Sequence, residues 1–446
     1  MNGTSVTQRS MALPLIASLA TVAIVLVTLV GNDATQLATL AVVCLTLFVY
    51  TAVVHPRIPL VAFGAVLGVA PYMHVPGTEL PALLALCAWM WLVYLLLPET
   101  ELHWGWVEIA VLALAVAVVL SVVATGTDTR ALIEATAWLA ATSLVVPLCG
   151  LPETLRASIC RVFASSAVVG SAFGFAIIFG APGWLRRALR PLGYDPAGNV
   201  RQISDEALTE RLTGTYLEPN VAGLILLVAV IVAAIHLSGR WRIIAVGVIG
   251  LALLLTLSRS AIGAAGVAGI VMVMRTPRYR PQLVALGGSV GALALLIPRV
   301  RNRLLGSFGS GDVGFADRLA AFRAYPEQVD GHWWWGLGWN RPEFRDSVAA
   351  ATTNFVANGP MLTVYRGGVV LGALVTLIAV ILLIRSWAVA GRSFQAALLA
   401  GGLIGIGLVT FQLDFPIVNQ APATTVASLV IALTLVAART PERPDA

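Results

Sequence analysis

The chain contains no lysine: all 28 of its basic residues are arginine. Acids are scarce as well, 22 in 446 positions, and charged residues make up only 11% of the whole. A soluble domain carries about 25% charged and about 45–50% apolar residues. Here 58% are hydrophobic, which excludes a soluble enzyme held by one anchor and points to a polytopic membrane protein. The net charge of +6 gathers into no dense basic patch, so no nucleic-acid partner is expected. Cysteine is almost absent. Cys44, Cys87, Cys149 and Cys160 lie in or beside apolar segments, without CxxC or Cys/His spacing, so neither a disulfide framework nor a metal site is expected.

What the chain has instead is long apolar runs. A spanning helix needs about 20 largely apolar residues. Candidates fall at 11–31, 34–54, 58–75, 80–97, 104–125, 131–151, 157–180, 221–238, 241–257, 260–274, 282–298, 360–385, 394–412 and 421–438. The first run is longer than the usual 7–15 residue apolar core of a signal peptide and reads as an uncleaved span. The expected fold is therefore all-α and polytopic, with about 12–14 transmembrane helices.

Two polar stretches interrupt the pattern, at 181–220 and 299–358. They divide the chain into N-terminal spans (1–180), a first loop (181–220), core spans (221–298), a large second loop with short helices (299–358) and C-terminal spans (359–446). With the N-terminus inside, both loops lie outside. The short loops then assigned inside include SGRWR (238–242), RTPRYRP (275–281) and RSWAVAGR (385–392), arginine-rich as the positive-inside rule requires. One inner loop, PETELHWG (98–105), goes against it.

Arg259 is the one charged residue between Ile243 and Met274, in LTLSRSAIGAAG (255–266). An arginine at the bilayer centre costs about 2.5–3.5 kcal/mol on the mildest scale. The topology puts it instead at the outer turn between two spans. Two readings follow. It snorkels to headgroups, with Ser258 and Ser260 capping the next helix, or it clamps an anion, since a desolvated guanidinium grips phosphate bidentately. In the second loop, 315–328 reads as a short amphipathic helix that Pro326 disrupts. GHWWWGLGWN (331–340) reads as an interfacial anchor or a sugar-stacking surface. The Gly336–Gly338 pair is too short a signal for a phosphate loop.

Four segments in order, TGTYLEPNVAGLILLVA (213–229), LTLSRSAIGAAG, DRLAAFRAYPEQVDGHWWWGLGWN (317–340) and NFVANGPMLTVYRGGVVLG (354–372), resemble the O-antigen ligase and polymerase family across roughly 213–385. The resemblance implies a GT-C-like helical glycosyltransferase of the bacterial cytoplasmic membrane, with no cofactor and no metal. Such an enzyme moves a glycan from a polyprenyl-pyrophosphate carrier to an acceptor hydroxyl of a glycan or glycolipid at the outer leaflet, with inversion. It implies pyrophosphate binding by Arg259 and Arg318, and matches at Asn220, Gly336, Gly338 and Asn358. The family's histidine before that last asparagine is replaced by Ala357. Glu218, His332 and Asp414 are then the candidate bases, and His332 is the histidine assigned to an outer loop. A transporter of lipid-linked glycans and a non-catalytic assembly partner are the alternatives.

Overall fold

The computed structural model describes residues 46–75, 81–97, 100, 105–126, 128–179, 211–305, 313–341, 356, 358–411 and 421–439. Within them the chain is an all-α polytopic membrane protein. Every apolar run that falls on described residues becomes a helix. In chain order they are α1 (Thr46–Val54), α2 (Arg57–Val69), α3 (Ala82–Leu96), α4 (Trp106–Thr125), α5 (Thr129–Ser143), α6 (Val145–Gly150), α7 (Glu153–Ile178), α8 (Pro219–His236), α9 (Gly239–Leu255) and α10 (Arg259–Arg275). They continue as α11 (Arg280–Leu296), α12 (Pro298–Leu305), α13 (Val313–Val329), α14 (Gly359–Val389), α15 (Phe394–Val409) and α16 (Ala421–Arg439). Among the described residues six helical runs are long and apolar enough to cross a membrane, or up to eight if each of two sharply bent pairs counts as one span. The expected runs at 11–31 and most of 34–54 lie outside the described residues.

Local chemistry sets the helix starts. Ser258, Asn358, Asp128 and Ser393 are N-caps, each accepting a hydrogen bond from the backbone N–H three residues on. Pro219 opens α8, where its missing N–H has no partner to lose. One expectation is corrected here: Pro326 does not end its helix, and α13 continues to Val329. Burial of Ala321, Tyr325 and Val329, and a bond from Tyr325 Oη to the Met361 carbonyl at 2.7 Å, hold both sides of the proline to the bundle.

The core lies around α8 and α16, each with 72% of its most apolar stretch buried. By contrast α4 exposes Leu112, Val116, Val119 and Val123, which suits a lipid-facing helix. Small residues bring backbones close, as in membrane bundles generally. A Cβ on Gly64 would sit 2.8 Å from the Ile159 carbonyl, and one on Gly405 would sit 2.6 Å from that of Ala264.

Gly405 faces Ala264 while Gly401 faces Ala268, so α15 runs antiparallel to α10. The Gly359 N–H donates to the Thr410 carbonyl at 2.7 Å. Tyr216 Oη donates to the Gly68 carbonyl at 2.7 Å. Ala294 and Val300 bury against Leu257, so α11 returns to the level where α10 begins. The starts of α8, α10 and α14 and the ends of α2, α9, α11 and α15 therefore share one end of the bundle. The arginine-rich short loops gather at the other. There Arg275 lies over Trp387 at 5.0 Å, and Arg392 donates to the Ala438 carbonyl at 2.7 Å.

Candidate functional site

At the first of these ends a polar cluster closes around Asn220. Arg211, which directly precedes the buried Leu212, reaches across with two bonds. Its Nε donates to the Thr256 carbonyl at 2.9 Å and its Nη2 to Asn220 Oδ1 at 3.0 Å. The same Oδ1 accepts from Ser258 Oγ at 3.1 Å, while Asn220 Nδ2 donates to Glu218 Oε1 at 3.4 Å. Ser258 Oγ in turn accepts from the Ala261 N–H at 3.4 Å. Residues 211–220 are thus sewn to the turn that carries Arg259.

Backbone strain marks the same place. Leu217 (φ 59°) and Leu257 (φ 52°) both sit in the left-handed region, which costs a branched residue roughly 1–2 kcal/mol. The two leucines flank the cluster, and the bond from the Leu212 N–H to the Leu255 carbonyl at 2.9 Å helps hold the segment there. Ser258 is fully buried, and Arg259 and Ser260 are half-buried in the first turn of α10. Beside them α12 exposes Arg299 and Arg301 while burying Val300 against Leu257. Helix-start N–H groups and guanidinium groups together suit an anion.

Two cavities open near this end. One, of about 230 Å³, is lined by His74, Leu217, Cys87, Pro422 and Thr425 among others. His74 therefore joins the segment next to Glu218, although the sequence assigned only His332 to an outer loop. The other, of about 330 Å³, is lined by Thr125, His332, Trp334, Trp335, Gly336 and Arg341 among others.

The remaining expected site residues fall elsewhere. Gly336 (φ 76°) and Gly338 (φ 105°) both sit in the left-handed region and are closely packed. A Cβ on Gly336 would meet the Tyr365 carbonyl at 2.6 Å, and one on Gly338 would meet Thr125 Oγ1 at 2.9 Å. The turn docks where α14 is broken at Gly368 (φ 76°), through Leu337 N–H to the Tyr365 carbonyl at 2.7 Å and Val369 N–H to the Trp333 carbonyl at 2.8 Å. Asn358 caps α14 and donates from Nδ2 to the Phe411 carbonyl at 3.1 Å. Arg318 lies on α13, with its side chain outside the described residues, as are Ala357 and Asp414.

One pair escaped the sequence reading. Arg366, 6% exposed, bridges Glu134 Oε1 at 3.3 Å, and its Nη1 donates to the Arg341 carbonyl at 2.5 Å. Glu134 also accepts from the Asn340 N–H. The signal was present, since each is a lone charge within an apolar run, and such charges generally have partners. Tyr325 belongs to this packing too: burial, then the neighbouring Tyr365, push its phenol above the usual range, so it stays a donor.

Comparison with models of known protein families and with curated proteins gives no match.

Proposed function

We propose that this protein is a membrane glycosyltransferase that moves a glycan from a polyprenyl-pyrophosphate carrier to an acceptor hydroxyl, working at the end of the bundle that holds Asn220 and Arg259. On this reading that end faces outward. The observation that carries it is the cluster itself. Five expected or newly found groups, Arg211, Glu218, Asn220, Ser258 and Arg259, converge at one end of an otherwise apolar bundle. The gathering of arginine-rich short loops at the opposite end supports the orientation. The family resemblance over 213–385 supplies the reaction.

The chemistry asks chiefly for charge neutralisation. Pyrophosphate leaves well once its oxygens are held by fixed donors. Removing one such donor typically costs about 2.7–4 kcal/mol, or 10²–10³ in rate. Arg259 offers the planar fork that lysine lacks. Arg259→Lys in purified protein, reconstituted with a polyprenyl-pyrophosphate-linked oligosaccharide, should therefore insert normally and lose about 10²-fold in transfer and in donor affinity. The same is expected of Arg318→Lys, and the double variant should lose less than the product of the two. Full transfer by Arg259→Lys would return that residue to interfacial snorkelling and remove the proposal's main support.

A transporter of lipid-linked glycans is the second reading, favoured by the 103° break between α1 and α2. Transporters place such broken helices near the bilayer midplane. The 107° bend between α10 and α11 does not count toward it, since it lies beside Arg275 at the end of the bundle that gathers the arginine-rich loops. In vesicles, a transporter would move a fluorescent carrier-linked glycan across the bilayer without changing its mass.

A further inference from the structure

The four tryptophans of GHWWWGLGWN divide into two kinds. Trp339 is 1% exposed and packs on Trp138, ring centroids 5.6 Å apart. Trp333, 40% exposed, meets Tyr325 edge-on at 6.3 Å and does not line the cavity of His332 and Arg341. Packing accounts for Trp339. Trp334 and Trp335 stay 71% and 44% exposed and line the cavity of about 330 Å³. Their backbone is pinned. The Trp335 carbonyl accepts from Ser121 Oγ at 3.3 Å, the Gly336 N–H donates to the His332 carbonyl at 2.8 Å, and the adjoining residues bond to α14. Two large rings are thus held out on a rigid turn, which lowers the entropy lost when something lands on them.

The polar groups of the cavity complete a pattern. His332 is exposed, with Nδ1 at 2.9 Å from the Asp330 carbonyl, so that bond fixes Nδ1 as the N–H and leaves Nε2 as an acceptor in the neutral ring. Thr125 Oγ1 donates to the Ser121 carbonyl at 2.8 Å and retains acceptor capacity. Arg341 is anchored through its carbonyl to Arg366, and its side chain runs past Gly338 and Gly126, 3.7 and 3.8 Å from where their Cβ atoms would be. Its exposed guanidinium closes one side. The lining therefore brings together two indoles, a hydroxyl, an imidazole and a cation. The cavity between α14, α15 and α16, about 200 Å³, is instead walled almost wholly by side chains such as Val375, Leu383 and Ile406, and suits a lipid tail.

We infer that the Trp334–Trp335 cavity is a saccharide subsite that takes one pyranose ring carrying an acidic substituent. The ring's C–H face, with its partly positive hydrogens, matches the negative face of an indole. Its hydroxyls meet His332 and Thr125, and a carboxylate pairs with the Arg341 fork. The volume lies at the lower end of the range for small-molecule sites, about 300–1,000 Å³. The inference rests on the proposed function only in expecting a glycan at this end of the molecule.

The test uses free sugar and needs no transfer. Protein in lipid nanodiscs is titrated with methyl glucoside and with methyl glucuronide, followed by saturation-transfer NMR. Both should bind in about the millimolar range, the glucuronide about tenfold tighter. Arg341→Gln should equalise the two. Trp335→Ala should abolish both, and Trp334→Phe, which keeps an aromatic face, should retain part of each. Labelling of the buried thiols verifies that each variant is folded. No binding of either probe at about 100 mM, or glucuronide preference intact in Arg341→Gln, overturns the inference. So does quenching of Trp334 and Trp335 by brominated lipid tails, which would make them an interfacial belt. None of these outcomes touches donor binding at Arg259, so the two readings fail separately.

Discussion

Asn220 should stabilise the fold as well as the site, and the cluster geometry sets how much. Its Oδ1 accepts from Arg211 Nη2 at 3.0 Å and from Ser258 Oγ at 3.1 Å. Asn220→Ala removes the acceptor for both donors. A bond from a charged donor contributes about 1.5–3 kcal/mol and a neutral one about 0.5–1.5 kcal/mol. Arg211 is half-buried, so water replaces part of its loss, whereas Ser258 is fully buried and water cannot reach it. The expected destabilisation is about 1.5–3 kcal/mol. Asn220→Leu should do no better, because filling the space leaves both donors in place. Asn220→Ala with Ser258→Ala should cost less than the sum, by about 0.5–1.5 kcal/mol, since both remove the same bond. The assay is denaturation in detergent, read by a thiol-reactive dye. With Cys44 replaced, the remaining Cys87, Cys149 and Cys160 are free and buried, so they stay silent until the bundle opens. An Asn220→Ala protein within about 0.3 kcal/mol of the parent, or strict additivity in the double variant, would refute the reasoning.

Four further outcomes are expected. Gly368→Ala should lose more than about 3 kcal/mol, because a left-handed φ of 76° and the Trp334 carbonyl both oppose a Cβ. Gly287→Ala on α11, where nothing lies within 4 Å, should gain about 0.5–1 kcal/mol in the same thiol assay. Glu134→Gln should destabilise by about 3 kcal/mol through the stranded Arg366, and Glu134→Leu with Arg366→Met should recover most of that; equal losses in both proteins would show that the pair itself is not the cause. With Cys44 replaced, Arg299→Cys should react with an impermeant thiol reagent added outside cells and Tyr279→Cys should not; the reverse pattern would invert the site.

Much of the fold was legible because the membrane sets a length. A run of about 20 apolar residues has few alternatives in lipid, so each run on described residues became a helix. Helix starts were legible where a capping residue met an apolar run, as at Ser258 and Asn358. Pro326 was not, because a proline's local cost is outweighed where tertiary packing holds both flanks, and nothing near it in sequence announces Tyr325's bond to Met361. Within the site, Arg259 was legible as a lone charge. Arg366 carried the same signal, yet its meaning depended on Glu134, a residue far away in the chain. Arg211 stood among five arginines of the first polar stretch, and only the folded turn distinguishes it. The close packing of Gly336 against the α14 backbone and of Gly338 against the Thr125 side chain is not carried by the sequence, since both neighbours are distant in the chain.

On the proposed function a group must take the acceptor proton, and Ala357 stands where the resembled family has histidine; the geometry ranks three of the candidate bases. His332 lies in the tryptophan cavity against α4 and α14, not in the Asn220 cluster. Glu218 is inside that cluster, 3.4 Å from Asn220 Nδ2. His74 shares a cavity with Leu217, the residue before Glu218. A base must reach the acceptor hydroxyl beside the leaving pyrophosphate, so on the proposed function Glu218 and His74 come before His332. A general base contributes about 10²–10⁴-fold, and one lost charge-stabilising donor about 10²–10³-fold. Glu218→Gln should therefore lower transfer by about 10²-fold or more while leaving donor affinity unchanged, whereas Arg259→Lys lowers both. His74→Asn separates the remaining case, since it keeps hydrogen bonding but cannot take a proton. If Glu218→Gln, His74→Asn, His332→Ala and Asp414→Asn all transfer at the parent rate while Arg259→Lys does not, no side-chain base among them is used, and the leaving group's neutralised charge is what drives the reaction.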